Sequence, residues 1–127
     1  MADGAFTFTK LIVGDLEKSA AFYRDVCGLK EVNRISATGA DGTSLTEIIL
    51  DGAPATLILI CYHGAPTAPK GDSVLGFYTR DIDAFLERLV KAGGTVTTPV
   101  QTLAEAGLKY AMATDNEGHV IEPLQRL

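Results

Sequence analysis

Hydrophobic residues in the first half of the chain change from a strand-like to a helical spacing at the polar break formed by Gly14 and Asp15. Residues 6–13, rich in aromatic and β-branched side chains, predict a strand. Asp15 then offers a helix N-cap, and apolar residues recur at helical spacing up to Gly28, which suits a C-cap. Further strands are predicted at 29–35, 45–50 and 55–62, with a loop at 36–43 and a turn at 51–54.

The second half repeats this order of elements. The predicted strand 74–79 leads to Asp81, a second N-cap, and to a helix that ends at Gly93 and Gly94. Strands follow at 95–100, 109–114 and 119–123, with a loop at 101–106 and a turn at 115–118. A shift of 66 residues superposes the two N-caps, and a shift of 64 superposes Asp51 on Asp115. We therefore predict an internal duplication.

The duplication predicts one domain made of two strand–helix–strand modules. Module one spans about residues 5–63, a linker covers 64–71, and module two spans about 72–127. A single module would leave one face of its sheet uncovered. We therefore expect the two modules to close around a shared pocket.

Composition narrows the class of protein. The 127 residues are 46% hydrophobic and 21% charged, as in a globular domain. A net charge of −5 without a basic run disfavours nucleic-acid binding. We expect no membrane segment or signal peptide, and the two cysteines, Cys27 and Cys61, are too few for a disulfide framework. A cytoplasmic location is the expectation.

Residues 10–28, KLIVGDLEKSAAFYRDVCG, resemble the first module of the vicinal oxygen chelate superfamily. That superfamily includes glyoxalases, extradiol dioxygenases, methylmalonyl-CoA epimerases and bleomycin resistance proteins. Residues 77–85 and 115–124 resemble parts of its second module. The resemblance implies an α+β fold in which two tandem βαβββ modules form a curved mixed sheet around a shared cavity. It also implies a homodimer that takes a small-molecule ligand or substrate.

The resemblance further implies a divalent metal ion held by side chains from four strands. The motif offsets place these ligand positions at Phe8, Ile58, Val74 and Glu122. Three apolar side chains offer no lone pair to a cation, and one carboxylate does not make a metal site. We therefore predict no metal and no other cofactor, and we disfavour metal-dependent glyoxalase or dioxygenase chemistry.

Strand alternation places a mostly apolar set of side chains on the same face as these positions. The predicted substrate contacts are Phe8, Ile58, Ile60, Tyr62, Val74, Tyr78 and Val120. Glu122, poorly solvated among them, is the predicted general acid or base, with Lys10 polarising a substrate oxygen. The alternatives are a closed core, or a structural ion pair of Glu122 with Lys10 or Arg34.

The roles of two further polar residues, Glu47 and His63, have more than one interpretation. Glu47 could face the pocket as a second acid or base, although a solvent-facing side chain is the favoured interpretation. His63 could bind a ligand at the pocket mouth or be an exposed loop histidine, and His119 reads as a structural residue at a turn.

Three functions follow from this set of residues. The first is a metal-independent isomerase, epimerase or lyase that acts on a small, largely apolar oxygenated metabolite. The second is a protein that sequesters a ligand without catalysis, as bleomycin resistance proteins do. Aromatic content of 7% without tryptophan counts against it, because flat drugs stack on aromatic rings. The third is a regulatory or structural partner with no small ligand.

Overall fold

The structure of the protein is a computed structural model that describes residues 2–39, 41–64 and 73–127. The linker predicted for 64–71 lies, apart from Gly64, outside these ranges. The strands are β1 (Phe8–Ile12), β2 (Lys30–Thr38), β3 (Ser44–Asp51), β4 (Thr56–Tyr62), β5 (Val74–Tyr78), β6 (Thr95–Leu103), β7 (Leu108–Thr114) and β8 (Val120–Arg126). The helices are α1 (Leu16–Cys27) and α2 (Ile82–Lys91), and a single 3₁₀ turn covers Ala104–Ala106.

The strands form two four-stranded sheets of identical topology. Sheet one has the order β1-β4-β3-β2, and sheet two has the order β5-β8-β7-β6. In each sheet the first strand runs parallel to the last strand of its module, and the other pairs are antiparallel. This repeat confirms the α+β class and the two βαβββ modules. It adds that the sheets are separate from each other within the chain.

Both helices begin at the predicted aspartates. Asp15 Oδ1 accepts a hydrogen bond from the Lys18 amide at 3.0 Å, and Asp81 Oδ1 accepts one from the Ala84 amide at the same distance. Gly28 ends α1 with a left-handed φ of 71°. In α2 the left-handed residue is Gly93, so the repeat slips by one position at this point. No helix in the described ranges is long and apolar enough to cross a membrane.

Strands β2, β6 and β8 each extend three residues beyond their predicted ends. β2 continues to Thr38 through a segment predicted as a loop, because Ser36, Ala37 and Thr38 pair with the start of β3. β6 continues past Pro99 to Leu103, again through pairing, and its register with β7 shifts around the proline. Pairing to a neighbouring strand therefore overrides weak local propensity at these ends.

The helix-facing sides of both sheets contribute to one hydrophobic core. Tyr23 and Leu89, which the internal repeat superposes, are both fully buried in it. The other core residues from the sheets are Leu11, Val13, Ile48, Leu50, Leu57, Leu59, Ala113 and Ile121. Because the helix sides meet at this core, the opposite sides of the two sheets point away from it.

A buried carboxylate joins the modules across this core. Asp115 is only 3% exposed and accepts a hydrogen bond from the Tyr23 hydroxyl at 2.6 Å. His119 Nδ1 lies 2.8 Å from the same Asp115 oxygen, and His119 Nε2 lies 3.1 Å from the carbonyl oxygen of Ile12. The interpretation of His119 as structural is consistent with these contacts, which span the two modules.

The turn between β7 and β8 supplies a second bridge. The Glu117 carboxylate accepts hydrogen bonds from the Gly14 and Asp15 amides, each at 2.8 Å. Ser19, which is fully buried, donates to the same carboxylate at 3.3 Å. Module two therefore inserts its turn into the junction between β1 and α1.

The environment of Asp115 makes this bridge sensitive to acid. Burial raises the pKa of Asp115, but hydrogen bonds from His119, Tyr23 and backbone amides outweigh it and hold the pKa below the ordinary value of 3.8. A carboxyl with a lowered folded pKa stabilises the fold fully above its unfolded pKa. That contribution is lost as the pH falls through the lower, folded value.

We predict that Tyr23→Phe destabilises the protein by about 2 kcal/mol, because a buried carboxylate oxygen loses a donor. The variant should also unfold at a higher pH than the wild type, since the pKa of Asp115 loses one lowering contribution. Urea denaturation at several acidic pH values measures both effects. Tyr110→Phe is the control, because the Tyr110 hydroxyl has no hydrogen bond within the described residues. Equal stability of the two variants would contradict the prediction.

Candidate functional site

The side of sheet one that points away from the core presents apolar side chains around two charges. Lys10 on β1 and Glu47 on β3 are both neighbours of β4, where Lys10 is in register with Ile58 and Glu47 with Ile60. Residues in register share a side of the sheet. We call this surface face one, and it comprises Phe8, Lys10, Ile12, Ile35, Leu45, Glu47, Ile49, Ile58, Ile60 and Tyr62.

The two charges of face one form an ion pair. Lys10 Nζ lies 2.7 Å from Glu47 Oε2, and the Glu47 side chain is 14% exposed against 43% for that of Lys10. The distance meets the limit for an ion pair, but Glu47 Oε2 is buried without a hydrogen bond of good geometry from the described residues. The favoured interpretation of Glu47 as solvent-facing is therefore wrong, since its alternation with the buried Ile48 turns it onto face one.

The apolar part of face one is open to solvent. Phe8 is 49% exposed, Tyr62 37% and Ile35 42%, while Ile60 beneath them is buried. Contiguous exposed apolar side chains around a few polar groups are typical of a binding surface. The interpretation of these residues as a closed core is wrong, because the core lies on the other side of the sheet.

The corresponding side of sheet two carries the second predicted catalytic group. Glu122 on β8 is in register with Gly76 on β5 and is partly buried. A Cβ added at Gly76 would meet no atom within 4 Å, so there is open space beside the Glu122 backbone. We call this surface face two, and it comprises Val74, Gly76, Tyr78, Tyr110, Val120, Glu122, Leu124 and Arg126.

The predicted site residues therefore divide between two surfaces. Phe8, Lys10, Ile58, Ile60 and Tyr62 lie on face one, whereas Val74, Tyr78, Val120 and Glu122 lie on face two. No strand pair joins the two sheets in the described ranges, so Lys10 and Glu122 lie on different sheets of one chain.

The predicted alternative of a structural ion pair for Glu122 is wrong. Lys10 pairs with Glu47, and Arg34 pairs with Glu17 and Glu31. In the ranges that the structure describes, Glu122 takes part in no ion pair. Its carboxylate therefore has no counter-charge in this part of the chain.

The four ligand positions implied by the resemblance do not fit a divalent metal. Phe8 and Ile58 lie on face one, Val74 and Glu122 on face two, and only the last has a donor atom. The described part of the chain also contains no cluster of three or more His, Cys, Asp or Glu residues that could hold a metal ion. The donor chemistry thus gives a cation one carboxylate at most.

The remaining candidates lie away from both faces. His63 Nε2 is 2.8 Å from Thr46 Oγ1, and Thr46 alternates with Glu47 and so points to the other side of β3. Cys61 is opposite Thr46 on β4, and its thiol lies 3.7 Å from the carbonyl oxygen of Gly14. Burial raises the pKa of the Cys27 thiol to about 12, which makes it a poor nucleophile.

Comparisons with known proteins agree with this architecture. Residues 5–122 match the model of the Glyoxalase/Bleomycin resistance protein/Dioxygenase superfamily. A protein of Vibrio parahaemolyticus named "Probable lactoylglutathione lyase" is 26% identical over 128 aligned positions, which cover 98% of this chain and 93% of that protein.

Two solved structures extend the comparison. A glyoxalase family protein from Bacillus cereus superposes on this chain with a TM-score of 0.86 at 17% identity. The alignment covers 100% of this chain and 99% of that protein. A glyoxylase/bleomycin resistance protein/dioxygenase domain from Frankia sp. has a TM-score of 0.71 at 26% identity, covering 100% of this chain and 94% of that one.

We predict that Lys10→Met destabilises the protein by about 1–3 kcal/mol, because it leaves the Glu47 carboxylate mostly buried without a counter-charge. The double variant Lys10→Met/Glu47→Gln should regain much of this loss, since the second change removes the unpaired charge. Thermal or urea denaturation of the four proteins of this cycle measures the coupling. Additive effects of the two substitutions would contradict the ion pair.

Proposed function

Because this chain belongs to the glyoxalase/bleomycin resistance protein/dioxygenase superfamily, we propose that it binds a small, largely apolar oxygenated metabolite and moves a proton on it without a metal ion. The observation that carries the proposal is the Lys10–Glu47 pair set in the apolar surface of face one. The Glu47 carboxylate of this pair is mostly out of solvent, which costs desolvation energy, and such groups are concentrated at functional sites.

The proposed chemistry is proton transfer, of isomerase, epimerase or lyase type. Glu122 acts as general base and then as general acid, because its carboxylate has no ion-pair partner within the described residues. Lys10 donates a hydrogen bond to a substrate oxygen on which negative charge develops, and Glu47 holds the Lys10 ammonium in place. Phe8, Ile58, Ile60 and Tyr62 form one wall of the site, and Val74, Tyr78 and Val120 form the other.

The name of the Vibrio relative suggests a first compound to test. Lactoylglutathione is a thioester whose lactoyl end is small and carries a proton on the carbon next to its carbonyl group, and a carboxylate base can remove such a proton. The proposed reaction belongs to this class but uses no metal ion, since the side chains of Phe8, Ile58 and Val74 cannot act as metal ligands.

A second copy of the chain is proposed to bring Lys10 and Glu122 together. Both faces carry exposed apolar side chains, with Val74 at 54% and Tyr78 at 65% exposure on face two. The strands β1 and β5 are edges of their sheets, and an uncovered edge is open to pairing. We propose a homodimer in which face one of one protomer meets face two of its partner and encloses the cavity.

We also propose the two module boundaries, a cytoplasmic location and no nucleic-acid partner. The module boundaries near residues 63 and 72 suit two modules whose faces are each completed by another chain. A cytoplasmic location and the lack of a nucleic-acid partner are supported by the net charge of −5 and by two free cysteines.

A ligand-sequestering protein is the second candidate, and exposed aromatic rings favour it. Phe8, Tyr62 and Tyr78 are each more than one third exposed and could stack on a bound compound without any proton transfer. Such a protein would use the same two faces and the same dimer. The two candidates differ only in whether Glu122 moves a proton.

We predict that the protein catalyses exchange of the proton next to the carbonyl group of S-lactoylglutathione. The reaction is run in D₂O with a chelator and followed by ¹H NMR. Glu122→Gln should slow the exchange by about 100-fold or more, because removal of a general base costs at least that factor. Asp83→Asn, which alters an exposed carboxylate on α2, is the control.

Each other result of this experiment has a distinct meaning. Exchange that requires added Zn²⁺ or Ni²⁺ would show that metal independence is wrong. Exchange at the wild-type rate in Glu122→Gln would remove that residue from the mechanism. Binding of the thioester without exchange would favour the sequestering candidate.

We predict that the protein is a dimer in solution and that Phe8→Asp converts it to a monomer, because the substitution buries a charge between the two faces. Size-exclusion chromatography with light scattering measures the mass. Val90→Asp is the matched control, since Val90 is an exposed apolar residue of α2 that lies on neither face. A wild-type monomer, or a dimer that tolerates Phe8→Asp, would contradict the proposed assembly.

A further inference from the structure

A cavity of about 510 Å³ lies where β5 and β8 end side by side. Its lining residues are Tyr78, Thr79, Arg80, Gln125 and Arg126. Tyr78 and Arg126 belong to face two, so the cavity continues that face at the carboxyl ends of the parallel strand pair.

Side chains at the rim of this cavity are held by contacts within the chain. The Arg126 guanidinium carbon lies 4.8 Å from the centre of the Tyr78 ring, in a cation–π contact. The Gln125 side-chain oxygen accepts a hydrogen bond from the Ile82 amide at 2.8 Å. The stacked guanidinium therefore has its position limited by the ring beneath it, while its N–H groups remain available to a ligand.

The positive charge of this cavity is not balanced by the described residues. Neither Arg80 nor Arg126 makes an ion pair in the part of the chain that the structure describes. The carboxylate that follows Arg80 in sequence, that of Asp81, caps α2 through the Ala84 amide and does not line the cavity.

The internal repeat shows what fills the corresponding place in module one. The shift of 66 residues places Gly14 on Arg80, and Gly14 donates its amide to the Glu117 carboxylate at 2.8 Å. The shift of 64 residues places Ala53 on Glu117. Module one therefore has no carboxylate at the position from which Glu117 of module two reaches into module one. In module one, the end of the first strand is thus occupied by a carboxylate from module two. In module two, the equivalent strand end carries two arginines and receives no carboxylate from module one.

We infer that the cavity at the ends of β5 and β8 is a subsite for an oxyanion of the ligand, a carboxylate or a phosphate, which Arg80 and Arg126 bind. Guanidinium groups bind both oxyanions through paired N–H donors. The inference deepens the proposed function and rests on it only for the second end of the ligand. Along β8, Glu122 and Arg126 are four residues apart, or about 13 Å at the rise of a strand.

That spacing defines the class of ligand. A proton donor or acceptor at Glu122 and an oxyanion at Arg126 require an elongated molecule with its reactive carbon and its negative charge at opposite ends. The segment between them passes Leu124 and the Tyr78 ring, which suits an apolar or aromatic body. A small neutral metabolite would leave the arginines without a partner.

The test uses phenylacetate, phenyl phosphate and the neutral phenylacetamide as probes of the full-length protein. NMR signals of the arginine side-chain N–H groups locate the bound anion, and titration gives each affinity. Both anions should shift the signals of Arg80 and Arg126. Arg126→Gln and Arg80→Gln should each weaken anion binding about tenfold, the value of one charge-assisted hydrogen bond, and leave phenylacetamide binding unchanged.

Three comparisons keep the result unambiguous. Arg126→Lys, which retains the charge, should lose less affinity than Arg126→Gln. Arg24→Gln, an exposed arginine of α1 that already pairs with Asp25, should bind the anions as the wild type does. Tighter binding of one of the two anions supports the subsite and identifies whether its natural ligand is a carboxylate or a phosphate.

The subsite and the proposed function fail in different ways. Unchanged anion affinity in both glutamine variants, or shifts confined to arginines outside the cavity, such as Arg34, would overturn the subsite. Anion binding that persists in Glu122→Gln, in a protein that exchanges no substrate proton, would retain the subsite and reject the proposed proton transfer.

Discussion

The buried Asp115 carboxylate is the interaction on which the arrangement of this protein depends. It lies between the modules and accepts a hydrogen bond from the Tyr23 hydroxyl of α1 at 2.6 Å. It also contacts His119, whose other ring nitrogen lies near the Ile12 carbonyl oxygen. A buried charge is tolerated only when its hydrogen bonds are satisfied, so these donors must stay in place. The carboxylate therefore fixes the turn of module two against the first strand and helix of module one.

Fixing the modules through their helix sides determines where chemistry can occur. The core takes one side of each sheet, so face one and face two are both left pointing outward. The same packing that stabilises the chain thus separates Lys10 from Glu122 and leaves Phe8, Val74 and Tyr78 exposed. Stability within one protomer and the outward exposure of both faces are two consequences of one contact.

The sequence supported some of these features and not others, for physical reasons. The N-caps at Asp15 and Asp81 and the order of elements were predictable because they depend on local geometry and a repeat. The ends of β2 and β6 were not, since strand pairing rather than propensity extends them. The orientation of Glu47 could have been found from its alternation with Ile48, but its pairing with Lys10 depends on β4 lying between their strands. The outward direction of both faces depends on packing between modules, which no local pattern contains.

The internal repeat shows that the two modules differ at the junction that follows their first strand. In module one the junction after β1 is filled by the chain itself, through Glu117 and His119. In module two the equivalent junction has Arg80 where module one has Gly14. The residue of module one that corresponds to Glu117 is Ala53, which has no carboxylate to fill this junction. If the junctions had remained alike, both would be closed and the fold would gain a second internal bridge. The absence of that bridge within the described residues leaves a charged cavity beside face two, and a position freed from a structural contact is one that a ligand can use.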